Sequence, residues 1–345
     1  MREVVTTGRG GPDVLSVRAA ATPVPDAGEV RIRTALAGVN FADVMVRLGL
    51  YPDGPDLPAV VGYEVSGTID AVGDGVPDAR IGERVAAVCD FGGYRDEVCV
   101  PAIQAYPLPD GVSLEAAAAL PVNYLTAYLM LWILTRVQPG DHVLVHSAAG
   151  GVGQAASQLV RLAGGEVVAS GSPGKHDLLR EQGCLLVVDS RQRRFADQVR
   201  AATGGRGCDI ALEPRHGRWI MESYRSLAPG GRLVLHGFSS AAEGGGGTLG
   251  ALRTLARVPW LQLNPVRLMN DNRSVGGVNL GRLWGERDRF AGWMQQLLSW
   301  LAEGRIAPRI DRIYPADQAG EAQSRLERRA NVGKVLLDFR EGAGS

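Results

Sequence analysis

Lysine is almost absent from this chain of 345 residues: Lys175 and Lys334 are the only two, and arginine supplies the rest of the 37 basic side chains. The acidic residues also number 37, so the formal net charge is zero. A chain with no excess charge carries no electrostatic footprint for nucleic acid or an anionic membrane. Cysteine is scarce too. Cys89, Cys99, Cys184 and Cys208 lie far apart with no C-x-x-C pair, which excludes a four-cysteine zinc site and a disulfide framework. Long apolar runs are missing. The most apolar stretch, Tyr124 to Leu134, has 11 residues, too few to span a bilayer, and reads as a buried helix. No apolar signal core follows Met1, so the expectation is a cytoplasmic protein with no integral membrane segment.

What is present is globular: 45% hydrophobic and 21% charged residues, in a chain long enough for two domains. The first 110 or so residues are rich in Gly and Pro and carry short alternating runs. Glu29 to Arg33 puts Val30 and Ile32 on one face and charges on the other, the pattern of a half-buried strand. Val61 to Ile69, Arg84 to Val88 and Glu97 to Val100 read likewise, so this region is expected to be an antiparallel, partly closed β domain. Ser113 is a helix cap with Glu115 in the first turn. Beyond Pro139-Gly140, strands and helices alternate from His142 to His236, with helices expected at Gly151 to Ala163 and around Leu178, Val199 and Tyr224. Apolar strands alternating with helices imply a parallel, doubly wound sheet of the α/β class. Ala241 to Gly250 reads as a Gly-rich loop, Val275 to Val278 as a further strand, Asp288 to Glu303 as a helix and Lys334 to Phe339 as a closing strand.

The sharpest motif is the run from Val143 to Gly153, which leaves a strand and opens a helix. Against G-x-G-x-x-G, Ala148 stands in the first glycine's place, while Gly150 and Gly153 keep the second and third. Gly150 lets the backbone approach a pyrophosphate and Gly153 lets helix pack on strand. The N–H groups of the first turn, from Ala149, Gly150, Gly151, Val152 and Gly153, face the phosphates. An NAD site wants an acid at the end of the next strand, for the ribose 2′-hydroxyl. Here the chain reads Ala169-Ser-Gly-Ser-Pro-Gly-Lys175. Ser172 and Lys175, with Arg191 past the third strand, suit a 2′-phosphate instead, so the expected cofactor is NADPH.

These residues resemble the medium-chain dehydrogenase/reductase superfamily, specifically its zinc-free quinone oxidoreductase branch. The likeness rests on Ala37 to Asp43, Arg47 to Tyr51, Gly62 to Gly67, Leu120 to Tyr128, the Ala148 to Gly153 turn, Gly204 to Asp209 and Leu227 to Arg232. Leu268 to Leu280 and Asn331 to Leu336 are most similar to the synaptic vesicle membrane protein homologue group. The resemblance implies a GroES-like catalytic domain from residues 1–122 and 285–345, with a Rossmann NADP-binding domain, 123–284, inserted between them. It also implies that the last strand returns to the first domain, that substrate binds where the two domains meet, and that homodimers form along the edge strand near Val275 to Asn279. Zinc-dependent relatives carry a Cys at Gly38 or its neighbours and a His where this chain has Tyr63. Neither ligand is present, so no metal is expected. Alcohol oxidation would lack its Lewis acid, whereas hydride addition to a quinone or an activated C=C needs none.

By the same resemblance Asn40 and Tyr51 line the nicotinamide side. An amide and a phenol there would hydrogen-bond an enone or quinone oxygen where charge develops, and Tyr51 is also a candidate proton donor beside water. Tyr63 reads as structural. Thr126, Asn279, Asn331 and Lys334 match family positions near the cofactor, and Gly237 and Phe238 follow a strand at the carboxyl edge, where ligands bind in such sheets. Two departures stand out. Glu213-Pro-Arg-His-Gly-Arg218 replaces the family's glycine pair and sets Arg215 and His216 near the nicotinamide half, where Arg215 could equally bind an anionic substrate. Ser190 replaces a tyrosine that often stacks on adenine. The expected activity is NADPH-dependent reduction of a small quinone or enone. The alternatives are a free-standing enoyl-thioester reductase of a polyketide-type pathway and a nucleotide-binding scaffold with little turnover.

Overall fold

The computed structural model describes residues 1–237 and 263–340. Phe238, Trp260 and the Ala241 to Gly250 run lie outside them. In chain order the strands are β1 (Arg2–Thr6), β2 (Leu15–Ala19), β3 (Glu29–Val39), β4 (Glu64–Val72), β5 (Arg84–Val88), β6 (Glu97–Pro101), β7 (Ala105–Pro107), β8 (His142–Val145), β9 (Glu166–Gly171), β10 (Leu186–Asp189), β11 (Cys208–Glu213), β12 (Leu227–His236), β13 (Ser274–Val278), β14 (Ile310–Pro315) and β15 (Lys334–Asp338). The helices that matter below are α1 (Phe41–Arg47), α2 (Leu114–Ala119), α3 (Pro121–Tyr128), α4 (Gly151–Leu162), α5 (His176–Glu181), α6 (Ala196–Ala202) and α7 (Arg218–Ser226). The chain divides into two compact units, Met1–Leu125 with Leu280–Ser345, and Thr126–Asn279.

The first unit is β-rich. Its main sheet runs β14-β15-β3-β4-β5-β7, with β6 also on β3 and a separate β1-β2 hairpin. β3 alternates as the sequence predicts, with Val30 and Ile32 buried, but it continues to Val39 through a stretch buried on both faces. There β15 pairs along its edge, antiparallel, in register Leu336↔Gly38, and Ala35 and Leu36 pack against Ala118 and Ala119 of α2. The strand expected from Val61 begins only at Glu64, because Gly62 turns the backbone to φ +100°. Ser113 caps α2, its hydroxyl accepting from Ala116 N at 3.1 Å.

Arg47, at the end of α1, is completely buried. Its guanidinium donates to Gln323 Oε1 at 2.8 Å, to Glu327 Oε2 at 2.7 Å and to the Gly10 carbonyl. Three chain segments far apart in sequence therefore share one cation.

The second unit holds six parallel strands in the order β10-β9-β8-β11-β12-β13. Counted from β8 this is 3-2-1-4-5-6, the doubly wound Rossmann order, whose reversal of direction falls beside β8. Val143, Leu144, Val145, Val167, Val168, Ile210, Ala211 and Leu212 are all buried. A sheet covered by helices on both faces needs such strands. The run Tyr124 to Leu134 behaves differently from the expected buried helix. After α3 it widens into a π-helix, Leu129–Leu134, and Leu134 is exposed. The Thr135 hydroxyl donates to the Met130 carbonyl at 2.8 Å and closes that turn.

Replacing Arg47 by Ala should lower the unfolding free energy of the first unit by about 2–4 kcal/mol, since it strands the Gln323 and Gly10 acceptors and empties a buried site. Urea unfolding of R47A against the parent chain measures this; a change under about 0.5 kcal/mol would be that of an ordinary surface residue.

Candidate functional site

In the second unit the site begins where β8 ends. Ser147 follows with φ +52°, a left-handed residue that turns the chain back on itself. Gly150 N donates to the Ser147 carbonyl at 2.8 Å, and Ala148 N to the Ser170 carbonyl at 3.0 Å. Gly150 is the N-cap of α4, and no side chain caps that helix. Its first N–H groups, from Gly151, Val152 and Gly153, are therefore open to an anion. A Cβ on Gly153 would run into the Ser147 carbonyl and the Ala148 backbone. Only glycine lets α4 pack this close to the turn. A bare helix N-terminus with no room for side chains at its mouth fits a dinucleotide pyrophosphate.

The end of β9 lies alongside. Ser172 is exposed there, and Lys175 and His176 are half-buried. Asp189, the nearest strand-end carboxylate, is paired with Arg191 (Arg191 NH2 to Asp189 Oδ2, 3.1 Å) at the end of β10. The Arg191 hydrogen bonds hold that carboxyl below the usual range. Arg191 is thus a paired guanidinium in the resting chain. Ser190 N donates to the Gly171 carbonyl at 2.8 Å, which ties the two strand ends together.

Arg215 is where the structure departs most from the sequence reading. It does not intrude into a ligand space, and it does not offer its charge to an anionic substrate. It is buried, 7% exposed, and turned inward. Its Nε donates to Glu213 Oε1 at 2.8 Å, one terminal nitrogen to the Ser190 carbonyl at 2.9 Å, and the other to His146 Nδ1 at 2.8 Å and Glu213 Oε2 at 3.0 Å. The guanidinium also lies 4.3 Å from the Trp219 ring centre. His146 Nε2 then donates to Ser223 Oγ at 2.9 Å, and Ser223 Oγ to Glu213 Oε2 at 2.7 Å. The result is a closed ring of hydrogen bonds, Arg215 to His146 to Ser223 to Glu213. His146 fits it only as the neutral Nε2–H tautomer. Burial pushes this histidine far below its usual range. Burial alone would raise the Glu213 carboxyl, but its neighbours His146, Arg215 and Ser223 outweigh it and hold it low. Ser223 lies within this ring with no exposure, so it is no nucleophile. His216 is buried beside Arg215.

Gly237, after β12, adopts φ +77° at the same carboxyl edge of the sheet. Asn279 is exposed just beyond β13, and Thr126 is buried on α3.

In the first unit Asn40, Glu64 and Lys334 form a buried cluster at 8%, 0% and 3% exposure. Lys334 Nζ donates to Asn40 Oδ1 at 2.7 Å and to Glu64 Oε1. Asn40 Nδ2 donates to Glu64 Oε1 at 3.0 Å and weakly to the Gly38 carbonyl at 3.4 Å. Asn40 was expected to offer its amide to a substrate oxygen; in this arrangement both ends of the amide are committed to the ion pair instead. Glu64 Oε2 accepts from Val122 N at 2.7 Å. Glu64 and Asp43 were missed as site residues. The available signal was a carboxylate set inside an otherwise apolar run, Tyr63-Glu64-Val65. Asp43 accepts from Asn40 N, Gly62 N and the Tyr94 hydroxyl. Burial nonetheless pushes its carboxyl up to about 6. Asn331 donates to the Gly333 carbonyl at 2.8 Å, just before Lys334.

Tyr51 is half-buried with its ring 6.4 Å from that of Tyr63, edge-on, and Tyr63 in turn packs 4.9 Å from Phe91. Burial raises the Tyr51 phenol above its ordinary value, so it is a neutral donor across the physiological range. The donor set does not fit zinc. A Cβ at Gly38 would collide with the Glu64 carboxylate, and Glu64 itself is neutralised by Lys334. Among the described residues no group of three or more His, Cys, Asp or Glu side chains could hold a metal ion. Among them, too, no helix is long and apolar enough to cross a membrane.

Comparison with known proteins places these features in a family. The alcohol dehydrogenase GroES-like domain profile matches residues 26–110, and the zinc-binding dehydrogenase profile matches residues 182–337. The chain is 38% identical to the human synaptic vesicle membrane protein VAT-1 homolog over 98% of its own length and 86% of the relative's. It superposes on the mycobacterial protein Rv1454c, solved in complex with NADPH, with TM-score 0.86 and 32% identity, covering 98% and 100% of the two chains. It is also similar to the CurK enoyl reductase, with TM-score 0.83 and 28% identity, covering 98% of each chain.

The neutral His146 makes the second unit acid-sensitive. Unfolded, a histidine takes up a proton near pH 6.5; folded, this one does not. The unfolded state therefore binds more protons below about pH 6.5, and stability should fall there by up to about 1.4 kcal/mol per pH unit. Thermal midpoints followed from pH 7.5 to 5 should drop less steeply in His146→Gln, which keeps an acceptor for Arg215 and a donor for Ser223. Parallel curves would count against the neutral ring.

Proposed function

The chain is an oxidoreductase of the medium-chain dehydrogenase/reductase superfamily, and from that premise we propose that it is a zinc-independent, NADPH-dependent reductase of quinones or α,β-unsaturated carbonyl compounds. The observation that carries the cofactor is the end of β9. It holds Ser172 and Lys175 and no carboxylate. A 2′-phosphate would find a hydroxyl and a cation there, where a ribose 2′-hydroxyl would miss its acid. Rv1454c, solved in complex with NADPH, supports the choice. Ala149, Gly150, Gly151, Val152 and Gly153 would hold the pyrophosphate on the α4 N-terminus, and Ser190 and Arg191 would border the adenosine. Thr126, Gly237 and Asn279 would border the rest of the nucleotide.

NADPH, when bound, supplies a hydride to the acceptor's carbon skeleton. The negative charge that follows collects on the acceptor oxygen. Tyr51 would hydrogen-bond that oxygen, because its phenol stays protonated in the neutral range. A proton from Tyr51 or from water completes the hydroquinone or saturated carbonyl. Asn40 would act through Lys334 and Glu64, holding the strand ends on which the site is built. The proposal includes a homodimer. β13 ends the six-stranded sheet with a partner on one side only among the described residues, and a second copy would cover that edge.

The test is a fluorescence titration with NADPH and NADH, followed by turnover with quinones, enones and enoyl thioesters. NADPH should bind at least about tenfold more tightly than NADH, and Lys175→Ala should erase most of the difference. Tyr51→Phe should lower kcat with a quinone or enone by about 10–100-fold at little cost in NADPH affinity. Equal binding of NADH would overturn the cofactor choice. Turnover of enoyl thioesters alone would replace the substrate class with that of the CurK-type reductases. Tight NADPH binding without turnover of any acceptor would leave a nucleotide-binding scaffold.

A further inference from the structure

Arg215 has more bonds than its ion pair with Glu213 requires. A carboxylate is satisfied by the two parallel donors it already receives from Nε and one terminal nitrogen. The remaining contacts reach elsewhere: to His146, the residue between β8 and the Ser147 turn, and to the carbonyl of Ser190, just past β10. These are the ends of two strands that do not touch, since β9 lies between them. Ser190 is held a second time, through its N–H, by the Gly171 carbonyl at the end of β9. Glu213 closes β11. One guanidinium thus joins the carboxyl ends of β8, β10 and β11, and Ser190 adds β9.

In a doubly wound sheet those ends are where a dinucleotide lies. We propose that Arg215 is a cofactor-positioning residue: it pins the Ser190 carbonyl against the strand that leads into the phosphate turn, so the adenosine half of the nucleotide meets a loop already set. The inference rests on the NADPH reading above. It adds a residue to that reading which does not itself face the ligand. It also gives a physical role to the two departures in the sequence. Ser190 leaves the adenosine side without an aromatic platform. A loop held at both its N–H and its carbonyl loses less freedom on binding, which compensates for the missing stacking surface.

The arginine geometry is what matters, so the informative change keeps the charge. In Arg215→Lys the ammonium still neutralises Glu213, but a single point donor cannot also span to Ser190 and His146. Two fragments then separate the halves of the site. Adenosine 2′,5′-bisphosphate probes the adenosine end, and reduced nicotinamide mononucleotide the other. In R215K the first should bind about tenfold more weakly and the second as in the parent chain. Hydrogen exchange at the Ser190 amide should also quicken. Equal affinity of both proteins for adenosine 2′,5′-bisphosphate would overturn the proposal, and so would an equal loss for both fragments, which marks a general loosening of the unit. If R215K does not fold, the uncharged pair Arg215→Met with Glu213→Gln replaces it under the same criteria. A parent chain that binds neither NADPH nor either fragment would overturn the cofactor reading itself, and Arg215 with it.

Discussion

The β-rich unit is organised around the buried ion pair of Lys334 and Glu64. Neither group sees water, and each would be costly to bury alone. Satisfying them draws in the rest of the centre. Asn40 bridges both charges, the amide of Val122 takes the second carboxylate oxygen, and Gly38 must lack a side chain because the carboxylate fills its space. Lys334 opens β15 and Glu64 opens β4, and Asn40 follows β3. Removing either charge would leave the other uncompensated among apolar strands. At this position the same pair leaves no room for a metal ligand: the Glu64 carboxylate already has a counter-ion, and Gly38 beneath it has no space for a side chain.

The parallel-sheet unit solves the same problem with different chemistry. Its buried charge is Glu213, and its answer is a ring in which every donor has one acceptor. The ring determines the tautomer of His146, and His146 leads directly into Ser147 and the turn. Polar atoms under the sheet's edge therefore bear on the shape of the edge. The two units share a principle, that a buried carboxylate is matched by one cation and fully hydrogen-bonded. They differ in what the cation reaches: Lys334 gathers an ion pair and an amide in one cluster, whereas Arg215 spans several strand ends of one sheet.

Much of this was legible in the chain. The strand at Arg84–Val88, the turn at Gly150 and Gly153, and the cap at Ser113 follow from patterns of two or four residues, and local rules govern them. Elements were misjudged where tertiary cover mattered. β3 was expected to stop at Arg33 because its alternation stops there; it continues because β15, some 300 residues later, pairs along its edge and α2 packs on Ala35 and Leu36. The roles of Asn40 and Arg215 were misjudged for a related reason. A polar side chain near a ligand motif reads as ligand-facing, and nothing local reveals that its partners are other buried side chains. Lys334 was singled out by its match to a family position, but its partner Glu64 was hidden among apolar neighbours.

The antiparallel match of β15 with β3 has a consequence for how the protein is made. On the ribosome, β3 to β7 emerge early, yet the strand that pairs with the far end of β3 arrives only after the whole of residues 126–279. The six-stranded parallel sheet can close while its flanking unit still has an open edge. Until synthesis reaches Lys334, Glu64 has no counter-charge and the apolar end of β3 lies bare. Such a nascent chain is one that a chaperone would need to hold. Truncation near the C-terminus would leave that edge bare in the finished protein.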